Sequence, residues 1–215
     1  MIERVRRALG RSQPLKDPPS PPEISDSVAR LAPRDANLVD LFAASAVAAK
    51  FHLDQASADQ IGSRLVEFLQ LHQCRQIGIC VSPLLERLGI EPAIRAAHLT
   101  PHRWDESTLD AAYDLDCGIT DVYAAVAETG SLVIRPSPGH GRALSLVPPI
   151  HIAIVEPSNI VPDLIDLMDK IAGQPTSPNI TLITGPSKTA DIEGSLVTGV
   201  HGPGLVQIFL LRQSQ

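Results

Sequence analysis

Residues 184–204 read TGPSKTADIEGSLVTGVHGPG, with five glycines, two prolines, two carboxylates, a lysine, a histidine and several hydroxyls between the apolar runs NITLI and LVQIFLL. So much polar, conformationally permissive sequence between two strands marks either a long surface loop or a site. Gly185, Ser187, Lys188 and Thr189 offer backbone N–H groups, hydroxyls and a cation, the means to hold a phosphate or carboxylate. A Walker A phosphate loop is excluded, because Ser187 stands where G-x-x-x-x-G-K-[ST] requires glycine. Asp191 and Glu193 alternate and would share one face of an extended segment. With His201 they could perform acid–base work or bind a divalent metal, although no second histidine is spaced to complete a ligand set and no metal is expected. His98 and His102 flank Pro101, which breaks the helical spacing a zinc pair would use.

Glu128 precedes Thr129, Gly130 and Ser131. It reads either as a helix-terminal surface glutamate before a glycine cap, or as a carboxylate beside a backbone that glycine opens to a ligand. His151, within PPIHIAIV, equally fits a core histidine bonded to a backbone carbonyl.

The elements that must position these groups follow from periodicity. A helix is expected from Asp35 to Lys50, and a second over SADQIGSRLVEFLQLH, with Ile61, Leu65, Phe68 and Leu69 as its apolar stripe and Ser57 as its N-cap. Strand QIGICV, helix SPLLERLG, strand IRAAHL and a helix near DESTLDAA come next. ITDVYAAVAE reads as helix, SLVIRP and PIHIAIV as strands, VPDLIDLMDKIAG as helix, and NITLI and LVQIFLL as buried strands. This alternation predicts an α/β fold, a mainly parallel sheet with helices on both faces. Ligands of such sheets settle beyond the carboxyl ends of the strands. TGPSKTADIE starts at the carboxyl end of NITLI, whereas ETGS joins a helix to the start of the next strand.

The chain has 215 residues, enough for one domain with a small extension. Its formal charge of -6 and 3% aromatic content argue against a nucleic-acid partner. Its apolar runs are too short to span a bilayer, and MIERVRRALG lacks a signal-peptide core, so a cytoplasmic protein with no membrane contact is expected. Cys74, Cys80 and Cys117 form no C-x-x-C and read as small core residues; an all-cysteine iron–sulfur cluster needs more ligands than this chain holds. No dinucleotide fingerprint is present, and no cofactor is expected. Residues 1–33 read as an arm, a basic helix closed by Gly10 and an extended proline-rich tether, ahead of a domain over 34–215.

GITDVYAAVAETGSLVI, PIHIAIV and above all TGPSKTADIEGSLVTGVHGPG resemble the LUD-domain family, in its lactate-utilisation protein C branch, over essentially the whole chain. Lys188 departs from the arginine common there, which keeps the charge and weakens bidentate recognition. The resemblance implies the fold of glucosamine-phosphate isomerase, ribose-phosphate isomerase and the CoA transferases. It also implies a role beside two iron–sulfur proteins in oxidising L-lactate to pyruvate, with a small carboxylate or phosphate as ligand. On that reading Glu128, Asp191 and His201 orient the ligand or move protons, and residues Thr129, Gly130, Ser131, Gly185, Ser187, Lys188, Thr189, Glu193 and Gly202 bind it. The alternative is a stand-alone CoA-transferase-like or isomerase-like enzyme that uses Glu128 as nucleophile.

Overall fold

In the computed structural model, residues 2–10, 30, 36–172, 174–175, 177, 179–190 and 196–212 are described below. Contacts divide the chain into Met1–Leu31 and Ala32–Gln215. In the first unit, helix Ile2–Ala8 carries Arg6 and Arg7 in its last turn, where cations complement the exposed carbonyls.

The second unit contains strands β1 (His52–Ala56), β2 (Gln76–Ile79), β3 (Thr100–Arg103), β4 (Cys117–Asp121), β5 (Ala124–Val126), β6 (Ser131–Ile134), β7 (Ile150–Val155), β8 (Ile160–Val161), β9 (Thr181–Ile183), β10 (Lys188–Ala190), β11 (Leu196–Thr198) and β12 (Leu205–Leu211). Six of them form one sheet in the order β1-β12-β7-β4-β2-β3, and every adjacent pair runs parallel. A smaller sheet, β8-β5-β6-β9, is mainly antiparallel, and β10 with β11 makes a separate hairpin.

Both faces of the parallel sheet are buried because its strands are apolar at consecutive positions. Ile152 and Ile154 of β7 face one core, shared with Ile77, Ile119 and Phe209 and covered by helices Ile61–Leu71, Pro83–Arg87 and Ile90–Ala96. Ala153 and Val155 face the other, closed by Phe42 and Ala46 of helix Leu38–Ala48 together with Ala125, Leu132 and Ile134 of the small sheet. A fully buried Leu167 fixes helix Leu164–Ala172 to a further face of that small sheet. No helix among the described residues is long and apolar enough to cross a membrane.

The fold class is as the alternation implies, but several elements differ. ITDVYAAVAE is not a helix: it contributes the end of β4 and all of β5, because the run is buried within sheets and burial overrides the helix propensity of alanine. IRAAHL is not a strand: Ile90 and Ile94 are spaced one helical turn apart and bury together in Ile90–Ala96, so the strand begins later, at Thr100. DESTLDAA forms two 3-10 turns, Trp104–Glu106 and Asp110–Asp114. NITLI is a short edge strand of the small sheet with Leu182 exposed, not a buried member of the parallel sheet. Ser57 does not cap helix Ile61–Leu71, whose N-cap is Gln60 without a side-chain bond.

Candidate functional site

The ETGS segment is the turn of the β5–β6 hairpin, so Glu128 follows a strand and does not end a helix. Its backbone N–H donates to the Pro162 carbonyl at 3.0 Å, and that of Ala127 to Val161 at 2.8 Å, which ties the turn to the strand beside it. Gly130 is required there twice over. Its φ is +66°, and a Cβ would lie 2.3 Å from the backbone nitrogen of Ala46 in helix Leu38–Ala48.

Three hydroxyls then link two of the motifs. Thr129 Oγ1 lies 2.7 Å from Ser131 Oγ, and Ser131 Oγ lies 2.7 Å from Thr184 Oγ1. This contact exists because β6 and β9 are antiparallel neighbours, with Leu132 opposite Ile183. Gly185 packs on the carbonyl of Ala49, in the turn that leads into β1. Ser187 donates its N–H to the Pro203 carbonyl at 2.8 Å, and its own carbonyl accepts from Gly199 at 2.9 Å. The structure therefore gathers residues 128–131, 184–187 and 199–203 in one neighbourhood, in part against the carbonyl end of helix Leu38–Ala48.

Within it, Ser131 and Gly130 are buried, while Glu128, Thr129, Gly185, Ser187, Thr189 and Gly202 are half-buried. Lys188 and His201 are exposed. Lys188 opens β10 opposite Thr198, and Asp191 and Glu193 lie outside the described residues. The cluster does not sit at the carboxyl edge of the parallel sheet. Gly204 donates to the Pro149 carbonyl just ahead of β7 and β12, so this neighbourhood adjoins the amino ends of those strands.

The carboxyl edge holds a second polar group that the sequence reading missed. Cys80 follows β2 and donates its N–H to Ile119, bringing it beside Asp121 at the end of β4. Cys80 Sγ lies 3.5 Å and His140 Nδ1 3.2 Å from the same oxygen, Asp121 Oδ1. Burial pushes the Cys80 thiol well above its ordinary value, and the Asp121 charge adds to that. Burial also opposes ionisation of Asp121, but hydrogen bonding and charge from His140, with bonds from Ser82 and Cys80, outweigh it and hold the carboxyl below its usual range. Cys80 is thus buried as expected, but in polar company. The available signal was positional: both residues directly end or follow apolar strand runs, which is where open parallel sheets bind ligands. His151 is fully buried in β7 and bonds the Thr120 hydroxyl at 2.9 Å, not a backbone carbonyl. Burial, then the charge of His140, lowers its pKa to about 3.

The family profile of the LUD domain matches residues 39–211. The Lactate utilization protein C of Halalkalibacterium halodurans is 30% identical over 163 residues, 72% of this chain and 71% of that protein. Its namesake from Bacillus subtilis is 43% identical over 109 residues, 46% of this chain and 45% of that protein. The Exiguobacterium protein of the same name is 40% identical over 117 residues, so for it too the match spans about half of each chain, 50% and 51%. A crystal structure of a DUF162 family protein from Deinococcus radiodurans superposes with a TM-score of 0.58 at 21% identity, covering 88% of this chain and 100% of that one, a likeness of fold. With the profile spanning nearly all of its second unit, the chain belongs to the LUD-domain family.

Proposed function

We propose that this protein is a component of a lactate-utilisation system, supporting oxidation of L-lactate to pyruvate together with iron–sulfur partner proteins, and that the gathered loops bind a small carboxylate or phosphate. Relatives named Lactate utilization protein C support the role. The observation that carries the site is the joining of three separate glycine- and hydroxyl-rich segments, through Ser131 to Thr184 and through Ser187 to Pro203. Lys188 supplies the charge for an anion, and the hydroxyls supply directional donors. Glu128, Asp191 and His201 orient the ligand or move its protons. The test is growth on L-lactate of a strain lacking the native gene and carrying Lys188→Ala or Glu128→Gln. Both are expected to fold and to fail to restore growth. Normal growth with both would refute the role of the loops.

A further inference from the structure

We propose that Cys80, Asp121 and His140 form a three-ligand site for a divalent transition metal of the zinc class, with the fourth position open to water or a small ligand. The position is the first reason. From β2 the chain proceeds to β3 on one side, and from β4 it reaches β7 on the other, so the strand order reverses between β2 and β4. Cys80 and Asp121 stand at the carboxyl ends of those two strands, the crevice in which open parallel sheets place ligands.

Geometry is the second. The ligand atoms of the three residues all lie within 4.8 Å of one another. A tetrahedral metal with bonds of about 2.0–2.3 Å sets N–O and S–O edges of roughly 3.4 and 3.6 Å. The His140–Asp121 and Cys80–Asp121 separations, 3.2 and 3.5 Å, are close to those edges. His140 offers Nδ1, the atom that faces Asp121, and its Nε2 on the far side of the ring is buried with no hydrogen-bond partner among the described residues, a place for an ordered water beside the metal.

Charge and donor chemistry select the metal. One thiolate and one carboxylate neutralise a dication in a buried place, and a sulfur, nitrogen and oxygen set favours zinc-like ions over magnesium or calcium. Binding balances as M²⁺ plus the Cys80 thiol, the Asp121 carboxylate and the His140 imidazole giving the complex and the thiol proton, with a second proton released wherever His140 starts as the imidazolium of its pair with Asp121. A cavity of about 180 Å³ meets the site at Cys80, between Val81, Leu85, Glu91 and Arg103, with room for a small fourth ligand. Arg103 is held there by Glu91 and Asp105, so it does not fill the space as a free arm. This site shares no residue with the loop cluster and stands or falls separately from it.

The experiment uses the untagged full chain, reduced and stripped with a chelator, titrated with Co²⁺ and then Zn²⁺. One Co²⁺ per chain is expected, with a thiolate-to-cobalt charge-transfer band, tetrahedral visible bands, release of at least the thiol proton per metal, and displacement by Zn²⁺. Cys80→Ser should abolish the charge-transfer band. Asp121→Asn and His140→Ala should each weaken Zn²⁺ binding roughly tenfold or more, while Cys74→Ser should leave the band intact. A band absent from the native chain, or one that survives Cys80→Ser, overturns the site. If Cys80→Ser does not fold, the native thermal midpoint decides: at the same concentration Zn²⁺ should raise it more in the native chain than in Asp121→Asn, and an equal response in both overturns the proposal.

Discussion

His151 ties a single residue to the behaviour of the whole protein in acid. Its ring bonds Thr120 and is held neutral, with a pKa of about 3 against an ordinary 6.5. The unfolded chain therefore takes up this proton first, and stability falls as pH drops below about 6.5, by up to about 1.4 kcal/mol per unit from this group. His151→Gln keeps a partner for Thr120 but cannot titrate. Its urea midpoint should decline less between about pH 7 and pH 5 than that of the native chain. Lys188 is the opposite case, its side chain exposed and without a hydrogen bond or ion pair among the described residues. Lys188→Ala should leave the thermal midpoint unchanged and cost about 1–3 kcal/mol in calorimetric titration with lactate, pyruvate or phosphate. The two sites differed in legibility for a physical reason. Lys188 and its neighbours announce themselves by local composition, whereas Cys80, Asp121 and His140 are scattered single residues that only strand pairing brings together.

Turns show how the same backbone conformation can carry different weight. Gly130 and Gly89 have nearly equal φ, +66° and +63°, but a Cβ at Gly130 meets backbone atoms of Ser45 and Ala46 within 2.6 Å, and one at Gly89 meets nothing within 4 Å. Gly89→Ala should cost only the left-handed penalty, about 1 kcal/mol. Gly130→Ala should cost about 3 kcal/mol or more by urea unfolding, since helix Leu38–Ala48 must move as well. At the start of that helix Asn37 accepts from the N–H groups of Val39 and Asp40, and Asn37→Ala should cost about 1 kcal/mol. Among the elements, long stripes such as Ile61, Leu65 and Leu69 were legible because one face alone is buried. ITDVYAAVAE was not, because a strand buried on both sides shows no period by which to distinguish it from a buried helix. β1 was passed over for the opposite reason: HLDQA is polar, and it is a strand only because β12 lies alongside it.

The hydrophobic clusters of the second unit draw their buried residues from Phe42 to Leu211. A fragment of residues 34–215 is therefore expected to unfold in one cooperative thermal transition, as differential scanning calorimetry would show; a broad, non-cooperative trace would assign residues 1–33 a structural role. The order of the main sheet has a temporal side. Among the described residues β12 follows the other eleven strands, yet it lies between β1 and β7, pairing Gln207 with both His52 and Ile152. On a ribosome β1 waits without a neighbour for some 150 residues, and β7 presents an open edge, until this segment has left the exit tunnel. The domain is completed by threading a strand into a gap, not by adding one to a rim, and closing such distant pairings is slow. Emergence of β12 is thus the step on which closure of the main sheet waits.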